Sequence, residues 1–226
     1  APMRRALEAQ RDRLAGERVR LQHEKSELDR RREQLLEEKR AWETDRDPEP
    51  PRSEARMLRR AVIQPGEGAP LYAVCDFRAD VDEVRRARIE EALERAGLLD
   101  AWIAPDGRFG GLAEGQEEAW IVPQPVDFGY TLADVLVPSP SEESGLKEET
   151  IDAVLRTFLW VEDGDVGGLD GFGGALVSGT GAYRLGPLAG RTGGKTRAAY
   201  IGKETRRRTR LLEIARLERA LAEIAE

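Results

Sequence analysis

"LEAQRDRLAGERVRLQHEKSELDRRREQLLEEKRAW" (residues 7–42) sets Leu7, Leu14, Leu21, Leu28 and Leu35 at seven-residue intervals, and Trp42 continues the series. No proline falls between residues 3 and 47, and Gly16 is the only glycine there. A heptad apolar stripe without breakers predicts a coiled-coil helix, roughly 65 Å long at about 1.5 Å per residue. With the leucines at d, the a positions are Arg4, Arg11, Arg18, Lys25, Arg32 and Lys39, every one basic. Two parallel copies would face like charges across their axis. The row suits a partner that offers carboxylates or leaves room for the aliphatic stems. The plainer alternative buries only the leucines and leaves the basic row as a solvated flank.

The other end of the chain supplies a candidate partner. Ile214, Leu217, Leu221 and Ile224 follow 3-4-3 spacing, flanked by Glu213, Glu218 and Glu223. One helix runs into the middle of the chain and another runs out, so an antiparallel pair is expected. The first arm is the longer, which leaves Leu7 and Leu14 beyond the reach of the second. The chain divides into an arm (1–47), a proline-rich linker (48–54), a globular region (55–202) and a second arm (203–226). It opens with "APM" and closes in mid-helix pattern, and it reads as a piece of something longer.

Between the arms the pattern is mixed. Strands are expected at 71–77, 101–109 and 118–126, the last confined to an edge by its prolines. Residues 80–99 read as a helix with Val84, Ile89, Ala92, Leu93 and Ala96 on its apolar face and Gly97 as its stop. A short helix or turn is expected at 131–139, an amphipathic helix at 146–161, and a hairpin turning at Gly-Thr-Gly within 174–188. The fold class is therefore α+β, a compact domain inserted between two antiparallel coiled-coil helices.

Charge is unevenly spread. Residues 1–52 carry 14 Lys+Arg against 13 Asp+Glu, residues 53–202 carry 15 against 25, and residues 203–226 carry 7 against 5. An acidic middle argues against a surface that broadly grips nucleic acid. The single cysteine, Cys75, excludes an internal disulfide and any multi-cysteine metal site; in "LYAVCDF" it reads as a core residue. His23, the only histidine, lies on the arm, so no histidine-based nucleophile or metal centre is expected. No apolar run reaches the ~18 residues of a membrane span, and no signal peptide is visible, so a cytoplasmic protein is expected. Asp163, Asp165 and Asp170 sit among glycines in "EDGDVGGLDGFGG" (162–174) without calcium-loop spacing, and a loop is expected there. Trp102, Trp120 and Trp160 read as core or interface anchors. No catalytic, cofactor or metal residues are assigned.

One motif tests that conclusion. "AGRTGGKT" (189–196) fits the relaxed phosphate-loop pattern, a small residue, four of anything, then Gly-Lys-Thr. A working loop follows a central parallel strand and opens a helix. Here Pro187 breaks the preceding segment, Ala189 replaces the first glycine, and 30 residues follow Thr196, too few for a nucleotide domain. The match is read as a false positive. The stretch still offers cations to a nucleic acid backbone: Arg191, Lys195, Arg197, Lys203, Arg206, Arg207, Arg208 and Arg210.

"AGLLDAWIAPDGR" (96–108), "YRLGPLAGR" (183–191) and "AAYIGKETRRRTRLLEIARLE" (198–218) resemble the central region of the MukB-like SMC subunits, the JetC family, of the anti-plasmid condensin operons called Wadjet. The resemblance covers most of 70–220. It implies the hinge of a long coiled-coil ATPase whose head lies outside this sequence, a bacterial protein acting on plasmids. A kleisin, a small accessory subunit and a toprim-like nuclease would be partners of the full-length protein only. Such hinges dimerise, so the first expected partner is a second copy, docking through exposed strand edges. Trp120, Val122, Val177, Tyr183 and Leu185 are the candidate interface residues. A DNA-contacting module built on Arg191–Arg210 is the alternative, and a coiled-coil scaffold related only in architecture is another.

Overall fold

The computed structural model describes residues 2–44, 47–51, 66–108, 119–162 and 173–225, with side chains in the first helix from Gln10 onward, Asp12 apart. Most of the "EDGDVGGLDGFGG" stretch, and residues 52–54 of the proline-rich linker, lie outside the described residues. The chain divides into two compact units, residues 1–47 with 210–226, and residues 48–209.

In the first unit α1 (Pro2–Glu43) is one uninterrupted helix. The last part of α4 (Lys203–Ala225) lies along its C-terminal end. Arg210 donates to the Glu43 carbonyl at 3.1 Å, Arg216 to Glu38 at 3.1 Å, and Lys39 meets Glu218 at 2.9 Å. Residue numbers fall in one helix as they rise in the other, so the pair is antiparallel. Leu217 is fully buried, and Ile214, Leu221, Ile224, Leu35 and Trp42 are half-buried. Leu14, Leu21 and Leu28 stay exposed; the covered stretch begins at Leu35, later than the sequence suggested. Leu7's side chain lies outside the described residues.

The second unit is α+β. Its four-stranded sheet runs β5 (Phe158–Val161), β6 (Ala175–Ser178), β7 (Ala182–Leu185) and β8 (Leu188–Arg191) in that order. β5 and β6 are parallel, and the two later pairings are antiparallel hairpins. Two small antiparallel pairs complete the strands, β1 (Ala69–Pro70) with β3 (Trp102–Ile103), and β2 (Cys75–Phe77) with β4 (Leu136–Pro138). The longest helix of this unit's interior is α2 (Glu83–Arg95). The Asp82 carboxylate caps it by accepting the Arg85 N–H at 3.0 Å, and Gly97 ends it at φ 70°. Asp82 satisfies a donor the first turn leaves open, and glycine takes the left-handed turn without strain. Ile89, Leu93, Leu99, Leu132, Ile151, Leu155, Val177 and Ile201 are completely or almost completely buried in one core. Each such aliphatic side chain is worth about 1.5–3 kcal/mol against exposure.

Several expected elements are redrawn. Residues 146–161 are not one helix: α3 (Glu148–Leu155) ends, and Phe158-Leu159-Trp160-Val161 forms β5. The aromatic and β-branched run prefers a pleated, buried setting, with Phe158 and Trp160 in the core. Residues 71–77 split into a 3₁₀ turn and β2, and 131–139 into a 3₁₀ turn and β4. The 118–126 stretch makes one bridge, Trp120 to Trp102, because Pro123 and Pro125 lack the donors a ladder needs. Val84 is exposed rather than on the apolar face of α2.

Candidate functional site

The phosphate-loop match resolves into a carboxylate trap. After β8 the chain loops through 192–202 before α4 begins at Lys203, so Lys195 and Thr196 open no helix. Glu91 of α2 accepts the N–H groups of Gly194 at 3.2 Å and Lys195 at 3.0 Å. One position earlier, Glu90 is fully buried and accepts three successive N–H groups, from Ala199 (2.6 Å), Tyr200 (2.9 Å) and Ile201 (2.8 Å). The Lys195 ammonium lies 2.6 Å from Glu90 and 3.1 Å from Glu94, and 4.4 Å from the centre of the Tyr200 ring. The donors that a nucleotide-binding loop turns toward phosphate are here occupied by the protein's own carboxylates. A buried carboxylate demands this many partners, since desolvation otherwise exceeds the Coulombic gain.

The titration behaviour follows this packing. Burial pushes the Glu91 carboxyl up, but the Lys195 and Gly194 N–H groups and the Arg88 charge outweigh it and leave it below its ordinary value. Burial works against the Lys195 charge too, and Glu90 and Glu94 together hold the ammonium above its usual range. Burial, with Glu94 and Glu90 adding to it against Lys195, raises the Tyr200 phenol. The Cys75 thiol, enclosed in the core, is driven up mainly by burial; it is a packing residue, as its apolar setting implied.

The trap and its surroundings reassign part of the basic stretch. Arg206 is buried and donates to the Tyr72 and Tyr200 carbonyls at 3.2 and 3.1 Å. Arg208 grips Glu83 with two N–H groups, at 2.7 and 3.2 Å. Lys195 is spent on Glu90 and Glu94, and Arg210 on the Glu43 carbonyl. Lys195, Arg206 and Arg210 are buried or half-buried structural cations, which corrects their assignment as nucleic acid contacts, while Arg208 stays exposed beside Glu83. Arg191, Arg197, Lys203 and Arg207 are exposed, Arg207 near Glu204 at 3.8 Å. Gly202 marks the start of α4 with φ 90°, and a Cβ there would collide with the Asp76 carboxylate.

The candidate interface residues separate. Val177 has no exposed surface, so it is a core residue and its assignment to a docking surface is corrected. Tyr183 and Leu185 are half-buried against the core, Trp120 is half-buried, and Val122 is 40 % exposed. The edge expected at the 174–188 hairpin is not free either, because β6 and β7 are both interior strands. The sheet ends instead at β8, whose Leu188 is 57 % exposed. At the other end, β5 is lined by residues 124–131: Trp160 donates to the Tyr130 carbonyl at 2.7 Å and Val126 to the Arg156 carbonyl at 3.1 Å.

Glu90 and Glu91 are the residues that sequence reasoning missed. A faint signal existed, an acidic pair at 90–91 beside the apolar positions Ile89, Ala92 and Leu93 of a predicted helix. Among the described residues no group of His, Cys, Asp and Glu is arranged to hold a metal ion, and no helix is long and apolar enough to cross a membrane.

The chain is similar to the SMC hinge domain of Geobacillus stearothermophilus, solved as an asymmetric dimer, with 15% identity, TM-score 0.40, and 88% of this chain and 91% of that one covered. It is also similar to the Pyrococcus furiosus Smc hinge domain with an extended coiled coil, with 16% identity, TM-score 0.36, and 96% of this chain and 85% of that one covered. No protein-family model and no curated protein matches the sequence.

Proposed function

We propose that this chain is a non-catalytic homodimerisation hinge with its proximal coiled-coil arms, part of a MukB-like SMC ATPase of a Wadjet-type system that acts against plasmids. The observation that carries the reading is the antiparallel packing of α1 and α4, tied by Lys39–Glu218 and Arg216–Glu38. The chain runs out along one helix, folds an independent α+β core, and returns along the other. A catalytic reading of the phosphate-loop match is disfavoured because the Lys195 ammonium and the amides of Gly194, Lys195, Ala199, Tyr200 and Ile201 are committed to Glu90 and Glu91. The DNA-contact alternative keeps five exposed cations of its original eight, Arg191, Arg197, Lys203, Arg207 and Arg208. The likeness of "YRLGPLAGR" and "AAYIG" to the JetC family supports the Wadjet assignment.

Light scattering of the chain over a dilution series tests the dimer. One chain is 25.2 kDa; the reading expects a stable species of twice that mass, and a monomer at every concentration would refute it. The plasmid role is read in cells carrying the whole operon, where a dimer-breaking substitution is expected to restore plasmid establishment.

A further inference from the structure

We propose that the cavity between the start of α2, the 3₁₀ turn ending at Asp134 and the end of β5 binds a linear aliphatic diamine or polyamine. The site is independent of the dimer reading. The cavity holds about 420 Å³, within the range of small-molecule sites. Three carboxylates line it from three places: Asp80 in the turn before α2, Asp134 in the 3₁₀ turn, and Glu162 just past β5. The one cation in the lining, Arg85, is already engaged. Its guanidinium meets Glu162 at 2.7 Å and Asp82 at 3.5 Å. Arg78 and Arg86 give their guanidinium groups to the Ala133 and Val81 carbonyls and do not line the cavity. Arg156, whose charge Asp134 favours, is bonded to Asp152 at 2.6 Å.

Two negative charges are left over, on separate elements. Asp80 is exposed and has no hydrogen bond or ion pair among the described residues. Asp134 accepts the Thr131 N–H at 2.7 Å and hydroxyl at 3.3 Å, both through Oδ2, which leaves Oδ1 open. The rest of the lining is apolar or aromatic: buried Val81, Val135 and Trp160, and Tyr130, which is 72 % exposed. Alkyl chains of amphipathic cations lie along such walls, and aromatic faces attract ammonium groups. An anion would meet three carboxylates against one guanidinium. A hydrated metal ion would use the carboxylates and leave the rings idle. A single basic side chain from a partner would answer one free carboxylate and not the other. A flexible methylene chain with an ammonium at each end answers both.

Isothermal titration calorimetry of the full chain with putrescine, at physiological salt, tests this. One saturable site per chain is expected. n-Butylamine, the same chain with one charge, should bind on the order of 10-fold more weakly, the loss of one charge-assisted contact. Asp80→Asn removes a carboxylate that the fold does not use and should weaken putrescine by a similar factor. Tyr130 serves the fold through its carbonyl, which accepts the Trp160 N–H, so Tyr130→Ala should fold normally and bind about 3-fold more weakly. Glu148→Gln, an exposed carboxylate outside the lining, should leave binding unchanged. Heats that never saturate, or that Asp80→Asn and Tyr130→Ala both leave unaltered, mean diffuse attraction to an acidic surface and overturn the site. Butylamine binding as tightly as putrescine overturns the two-charge ligand. Nα-Acetyl-lysinamide binding more tightly than putrescine overturns the amine and gives the cavity to a partner's basic side chain.

Discussion

Arg216–Glu38 on the arm and Lys195–Glu90 in the globular unit are both short ion pairs, at 3.1 and 2.6 Å. Their surroundings separate them. The arm pair is roughly half exposed on both sides, whereas Glu90 has no exposed surface at all. On the arm, water already solvates both charges and the pair adds little. In the trap, Glu90 has given up its water and depends on three amides and an ammonium for replacement. Length of contact is thus a poor guide to worth, and the cost of breaking a pair is set by what is left behind.

The sharpest way to break this comparison is Glu90→Ala. It leaves three amide donors without their acceptor and Lys195 with Glu94 as its one remaining carboxylate, and urea unfolding should show a loss of about 3–5 kcal/mol. A loss below 1 kcal/mol would mean that water replaces the carboxylate freely. Next comes Leu217→Ala, which removes the one fully buried side chain of the arm seam among the described residues; a thermal melt should register about 2–4 kcal/mol, confined to the helical signal of the arm.

The pH profile sharpens the contrast further. Glu91 is held below its ordinary 4.5, so its contribution is whole above that pH and fades as pH falls through its folded value. Lys195 is held above its ordinary 10.5, so its contribution is whole below that pH and is lost as pH rises through its folded value. Glu91→Gln should flatten the acid limb of the stability curve and leave the alkaline limb in place. The smallest effect belongs to the exposed pair. Arg216→Ala should cost at most about 0.5 kcal/mol, and less again in high salt.

The periodic parts of the molecule were legible in the sequence. Leucine spacing announced α1, and Ile214, Leu217, Leu221 and Ile224 all turn inward as their 3-4-3 spacing implied. Lys39, one of the basic a positions, meets the Glu218 carboxylate, while Arg11, Arg18, Lys25 and Arg32 stay exposed as the solvated-flank alternative had it. Gly97 bounded α2 correctly because a helix stop is local chemistry, whereas the helix starts at Glu83, capped by Asp82, later than the expected residue 80. What failed was long-range. Nothing near Glu90 in sequence reveals that amides 109 to 111 positions away will surround it. The same holds for Arg206, which reads as one of a solvated basic run and is instead bonded to a carbonyl 134 positions distant. The 174–188 hairpin was recognised, yet its role as an edge was misjudged, since only the sheet order shows that β8 lies outside it.

Sedimentation equilibrium on two variants of the full chain tests most directly whether the globular unit, not the arm, makes the proposed dimer. Leu217→Asp opens the arm seam, and Leu188→Lys spoils the β8 edge. The account predicts that the first remains a dimer and the second dissociates toward the 25.2 kDa chain. A Leu217→Asp chain that dissociates while Leu188→Lys stays dimeric would contradict it, and would make this protein an arm-paired scaffold rather than a hinge.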